Sequence, residues 1–157
     1  MCLRTGRPTS GKVPIRFGTY NIRNGRNGGI EAALRGVSQA NMDLGILQET
    51  KITNGIYTRG SDGYSVVATD ATSQHRGGVT ILYRSAPNFA VEAVRKFRPN
   101  VIGFQLATGV RRWYIMGCYL APDDTSTVER FVDALRSRPR GAELLVAGDF
   151  NVNLATP

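Results

Sequence analysis

The sequence carries one His and two Cys, and both scarcities narrow what it can be. A single imidazole and two separated thiols cannot build the His and Cys clusters that zinc sites use. Cys2 and Cys118 are also too few for a disulfide framework, and this usage is expected of a reducing, intracellular setting, the nucleus included. No stretch approaches about 18 consecutive apolar residues, so no helical membrane span is expected. The N-terminal MCLRTGRPTSGKVP is basic but has no apolar core behind its positive residues, which excludes a secretory signal. Residues 1–14 read as a disordered basic tail, and 15–157 as the folded domain. Lysine is scarce as well, 3 residues against 17 Arg.

What is present points to one globular α/β domain. A hydrophobic content of 41% with 20% charged residues is that of a soluble globular chain. A chain of 157 residues buries roughly two thirds of its unfolded surface. The formal net charge is +8, and guanidinium forks pair bidentately with phosphate, so the excess suits a polyanion such as nucleic acid. Codon bias is the competing explanation for Arg over Lys.

Residues 15–21 alternate loosely and meet a Gly/Asn/Arg loop at 23–29, a strand followed by a flexible connection. Ile30, Ala33, Leu34 and Val37 keep i, i+3, i+4, i+7 spacing and predict a helix. Leu44 to Leu47 form a short buried strand ending at Gln48 and Glu49. This is a βαβ unit with parallel strands. Strands are then expected at 64–69, 78–83, 89–97, 101–107 and 113–120, their short connections arguing an antiparallel meander. Val128, Phe131, Val132 and Leu135 predict a second helix, with Thr125 or Ser126 as N-cap and Glu129 in its first turn. Strand 143–147 closes a second βαβ unit with 113–120.

Polar residues gather at the ends of these strands: Asn21, Glu49, Tyr119, and Asp149 with Asn151 in the run GDFN. Within each unit the strands run the same way, so Asn21 lies beside Glu49 and Tyr119 beside Asp149. The sequence leaves open whether both pairs share one edge. If they do, the site holds two carboxylates, two amides and a phenol, a donor set that favours Mg2+ or Mn2+ over zinc. Glu49 would anchor such an ion with Asn21 in support. Asp149 would orient or deprotonate a water, Asn151 donate to a phosphoryl oxygen and Tyr119 stabilise developing charge. Each residue also has a bland explanation. Asn21 suits a turn, Glu49 a solvated rim, Tyr119 a core aromatic, and Asp149 with Asn151 an Asx turn.

The runs TYNIRN (19–24), LQET (47–50), RGGV (76–79), YLAP (119–122) and GDFN (148–151), in this order, resemble the endonuclease/exonuclease/phosphatase superfamily. The flavour is that of the endonuclease domains of non-LTR retrotransposons, relatives of the apurinic/apyrimidinic endonucleases. The resemblance implies a two-sheet, four-layer, DNase I-like α/β sandwich with mixed strands and outer helices. It assigns the metal to Asn21 and Glu49 and catalysis to Tyr119, Asp149 and Asn151. Asn24, His75 and Arg76 fall in loops that would touch DNA. The family's last third carries a further metal-proximal Asp and a closing Asp-His pair, which this sequence lacks. His75, the only His, is more simply a loop residue.

With Pro157 six residues after Asn151, the sequence reads as the N-terminal two thirds of that fold. Loss of a positioned acid/base or donor costs on the order of 10² to 10⁴ in rate. Metal-dependent phosphodiester hydrolysis on DNA is therefore expected to be weak or absent. One sheet is expected to keep an unpaired edge, a route to self-association. The rival functions are a phosphatase acting on inositol phosphates or phospholipid headgroups, and a non-enzymatic nucleic-acid-binding relic.

Overall fold

The computed structural model describes residues 14–54, 57–59, 63–86 and 89–151. The tail expected over 1–14 lies outside these, Pro14 excepted. In chain order the elements are β1 (Phe17–Asn21), α1 (Gly29–Gln39), β2 (Leu44–Gln48), β3 (Tyr57–Arg59), β4 (Tyr64–Ala68), β5 (Val79–Arg84), β6 (Ala90–Phe97), β7 (Val101–Thr108), β8 (Arg111–Tyr119), α2 (Thr125–Arg136) and β9 (Glu143–Asp149).

Two mixed sheets result. One runs β1-β2-β5-β4-β3 and the other β6-β7-β8-β9. β1 pairs parallel with β2, and β8 parallel with β9, so both expected βαβ units are present. The expected meander is broken in the middle. β4 and β5 are antiparallel partners in the first sheet, whereas β6, β7 and β8 make an antiparallel run in the second. The chain changes sheets between β5 and β6, because an apolar face on each sheet is buried only if the two sheets face each other. The short strand β3 carries no signal in the sequence pattern and forms against β4.

Alternation along the strands explains four layers. Leu44 and Ile46 of β2 and Val79 and Ile81 of β5 face Ile102, Phe104, Leu106 and Ile115 of the second sheet, forming the central core. Side chains of opposite parity face outwards. Leu47, Val66 and Leu82 meet Ile30 and Val37 of α1, and Tyr114, Met116 and Cys118 meet Ala134, Phe131 and Leu135 of α2. Two glycines permit this packing. A Cβ on Gly117 would stand 2.9 Å from Ile46 Cγ2, and one on Gly45 2.8 Å from Val37 Cγ2.

α2 is capped one or two residues earlier than the expected Thr125 or Ser126. Asp124 is the N-cap, and its carboxylate accepts from the hydroxyls of Ser126 and Thr127. Thr125 and Ser126 are therefore helical residues, and Glu129 falls beyond the first turn, which contains no acid. β1 and β9 each have one strand partner and lie against one another across the sandwich. Phe17 and Tyr20 of β1 and Leu144 of β9 are exposed. No helix among the described residues is long and apolar enough to cross a membrane.

Candidate active site

Parallel pairing brings chemistry to one end of each sheet. β1 and β2 end level, Asn21 beside Gln48, and β8 and β9 end level, Tyr119 beside Asp149. Packing of the sheets then unites the two ends. Asn21 Nδ2 donates to Glu49 Oε1 at 2.8 Å and to Asp149 Oδ2 at 2.9 Å. Both βαβ units thus share one edge, the point that the sequence left open.

The backbone around these groups is bent into conformations that L residues rarely adopt. Glu49 has φ 53° and Asn151 φ 47°, each in the left-handed region at some energetic cost. Backbone hydrogen bonds hold the bend at Glu49. Thr50 N donates to Gly78 O at 3.3 Å, Lys51 N to Gly77 O at 2.9 Å and Gly25 N to Thr50 O at 2.8 Å. This is the physical role of RGGV. Gly77 and Gly78 have φ of 82° and 88°, and a Cβ on Gly77 would meet Asn100 Oδ1 at 2.3 Å.

Asn100, wholly buried, accepts from Gly78 N at 2.7 Å and donates to Thr72 Oγ1 at 3.0 Å. It ties the RGGV loop to the β6–β7 turn. Gln48, also buried, donates to Thr19 Oγ1 at 2.7 Å and to Ile46 O at 3.0 Å, locking β1 to β2 behind Asn21. Neither residue stands out in the sequence. Asn100 follows Pro99 as any turn residue does, and Gln48 reads as the polar end of an apolar run.

Asp149 Oδ1 accepts from Asn151 N at 3.1 Å, and Asn151 Nδ2 donates to Leu120 O at 2.9 Å. The GDFN corner is therefore an Asx-type turn that also aims a carboxylate, and the two roles are compatible. Asn151 uses one amide hydrogen to join the ends of β8 and β9 and keeps a second. The Tyr119 hydroxyl has its pKa raised, first by burial and then by the nearby negative charges of Glu49 and Asp149, with Arg76 opposing through its charge and a hydrogen bond. It is a protonated donor at neutral pH. Arg76 also pairs with Asp123, a carboxylate that no motif marks.

Two expected substrate contacts stand apart from this cluster. Asn24 Oδ1 accepts from Arg26 N at 3.1 Å, so its side chain shapes the loop after β1. His75 is exposed, and its backbone N–H donates to Ser73 Oγ. Arg26 reaches Gln74 O at 2.9 Å, which joins the two loops into one rim beside the site. An open cavity of about 480 Å³ lies along the other flank, lined by Asn21, Gln48, Asp149 and Asn151 among others.

The donor set suits a hard cation. Two carboxylates approach one polarised amide NH2, the position where positive charge is favoured. Glu49 offers oxygen directly. Asn21 Oδ1 is turned away and accepts from Arg23 N at 3.0 Å, so in this arrangement the amide positions the carboxylates. Among the described residues no three His, Cys, Asp or Glu side chains come together as a metal-binding group.

Solved structures share this architecture. An AP endonuclease from Archaeoglobus fulgidus is 20% identical with a TM-score of 0.63, over 88% of this chain and 58% of that one. The endonuclease domain of TRAS1, a telomere-specific non-LTR retrotransposon, is 17% identical with a TM-score of 0.66, over 89% and 60% respectively. ANGEL2, a 2',3'-cyclic phosphatase, is 14% identical with a TM-score of 0.61, over 91% and 54%. The chain thus spans less than two thirds of the length of each of these structures. No curated protein sequence matches it. Residues 18–156 match the endonuclease/exonuclease/phosphatase family, and the chain belongs to that family.

Proposed function

We propose that the chain is a DNA-directed member of its family, of retroelement endonuclease type, that hydrolyses phosphodiester bonds with a divalent metal and turns over slowly as these 157 residues. The observation that carries the reading is the Asn21 amide bonded to both Glu49 and Asp149. Glu49, with Asn21 beside it, would hold Mg2+ or Mn2+. A cation bound there supplies positive charge to a phosphoryl oxygen.

The protein's own groups do the rest. Asp149, fixed by Asn21 and by Asn151 N, orients a water and takes its proton. Asn151 donates its second amide hydrogen to a phosphoryl oxygen. Tyr119, kept protonated, donates to the oxygen on which charge develops. Arg76 on the rim binds a neighbouring phosphate, with Asn24 and His75 presented by the same joined loops. The excess of Arg and the AP-endonuclease and TRAS1 neighbours favour DNA. ANGEL2 keeps a phosphatase as the second reading.

Slow turnover follows from what surrounds Asp149. Among the described residues the site has no imidazole to protonate a leaving oxygen, and such a donor is typically worth about 10²–10⁴ in rate. The test is nicking of supercoiled plasmid with Mg2+ or Mn2+ by the purified chain and by Asp149→Ala. Slow, metal-dependent nicking that falls at least about 100-fold in the variant is expected. Equal nicking by the variant, or faster hydrolysis of inositol phosphates than of DNA, overturns the reading. Fast Asp149-dependent nicking overturns the slow turnover alone.

A further inference from the structure

The end of the sandwich opposite the active site is also basic. β8 runs from Arg111 to Tyr119, and at about 3.3 Å per residue Arg112 lies about 23 Å from the catalytic edge. α2 runs back from Asp124 to the same far end, so its C-terminal Arg136 and the following Arg138 and Arg140 arrive there too. Parallel pairing of Trp113 with Glu143 sets Arg112 beside Ala142. The loop is compact, since Arg138 N donates to Leu135 O and Ala142 N to Pro139 O.

Five arginines therefore meet two acids. Glu143 pairs with Arg111 at 3.3 Å and Asp133 with Arg136 at 3.4 Å. Arg112, Arg138 and Arg140 are exposed, and none of them enters an ion pair among the described residues. Neither the fold nor the proposed chemistry uses them. Three uncompensated guanidiniums on one rim favour a partner with closely spaced charge, and a duplex presents one phosphate per about 1.7 Å of axis. A lipid surface is the poorer match, because Val110 in the adjoining turn and Leu144 on β9 are exposed as two isolated apolar side chains rather than the broad apolar face that interfacial insertion uses.

We propose that Arg112, Arg138 and Arg140 form a second docking surface for a nucleic-acid phosphate backbone, on the pole remote from the active site. A segment bound there is separate from the one presented to Asp149, so the chain holds two stretches of nucleic acid at once. The surface works without hydrolysis, and its test is run in EDTA. Anisotropy of a fluorescent 20-base-pair duplex is followed between 50 and 200 mM salt for the full chain, for R112Q/R138Q/R140Q, and for R35Q/R95Q/R98Q, which removes the same charge from scattered exposed positions outside this rim.

The polar triple variant is expected to lower the slope of log K against log salt by about 2–3, at about 0.9 for each phosphate that is no longer neutralised. The scattered variant should lower it by less than about 1. Lys at the same three positions should restore most of the slope, and unchanged thermal melting confirms the fold. Equal reductions from both triple variants, no reduction from the first, or tighter binding to phosphatidylserine vesicles than to duplex overturns the proposal. Absence of nicking with the slope change intact removes the proposed activity and leaves this surface standing.

Discussion

In the first βαβ unit the chain leaves Asn21 through a glycine-rich loop, and α1 begins after Gly28, which has φ 87° and offers no side-chain cap. In the second it leaves Tyr119 through Leu120–Asp123, and α2 begins after Asp124, whose carboxylate gathers two hydroxyls. The first unit has one internal side-chain lock, Gln48 to Thr19, and its site end is otherwise held by backbone bonds to neighbouring loops. The second carries its own side-chain anchors, Asp124 and Asn151, and the close approach of Gly148 to Cys118. One topology therefore supports two kinds of rigidity. The unit that carries Asp149 has side-chain anchors both at its helix start and at its final corner, which suits the water-orienting role proposed for that carboxylate.

The largest break in that comparison should come from paired glycine substitutions. A Cβ on Gly148 would stand 2.1 Å from Cys118 O, a backbone atom of the partner strand, whereas one on Gly18 would meet only the flexible end of Met42 at 2.9 Å. Gly148→Ala should cost about 3 kcal/mol or more by urea unfolding, because β8 and β9 must separate. Gly18→Ala should cost less than about 1 kcal/mol. Equal costs would show that the two units are equally tolerant, and the contrast would fail.

A smaller effect is set by Cys118, which is wholly buried in the second unit. Burial, then the negative charge of Asp149, pushes its thiol from 9.0 up to about 12. A raised thiol pKa means that the folded state keeps a proton which the unfolded chain releases. Stability from this group is intact below pH 9 and declines as pH rises towards 12, by about 1.4 kcal/mol per pH unit at most. Cys118→Ala should flatten that part of the alkaline unfolding curve. In a Cys2→Ser background the remaining thiol should react with an aromatic disulfide reagent only on unfolding. Fast labelling of the native chain would contradict the packing described for this strand.

Much of this architecture is legible in the sequence because period and punctuation agree. The apolar spacing of 30–37 and 128–135 and the short runs that flank it produce both βαβ units. Five motifs in order locate Asn21, Glu49, Tyr119, Asp149 and Asn151 before any coordinate is known. What escapes is what depends on distant partners. Asn100 looks like a turn former, yet its carbonyl fixes Gly78 from 22 residues away. The pairing of Arg76 with Asp123 spans 47 residues, and the change of sheet after β5 is decided by which faces bury each other. Local pattern has no access to any of these, because each arises only when the two sheets meet.

The smallest effect separates the two helices. Asp124 has its carboxyl held below the usual range by the hydroxyls of Ser126 and Thr127, with burial opposing them and Arg130 adding a little in their favour. A depressed carboxyl pKa contributes stability that is present above the unfolded value of 3.8 and lost as pH falls through the folded one. Asp124→Ala should therefore cost about 1 kcal/mol at neutral pH, through the two hydroxyl hydrogen bonds that its carboxylate accepts. That difference should shrink as the pH falls below 3.8 towards the lower folded-state value, because the unfolded chain takes up the proton first. In α1, Gly28→Ala has only its left-handed φ to strain, a cost of about 1 kcal/mol that carries no charge and should be the same at both pH values. Urea titrations of the two variants at pH 7 and pH 3 make the comparison. A pH-independent loss in Asp124→Ala would mean that the cap acts through shape alone, and the second unit's advantage would then owe nothing to charge.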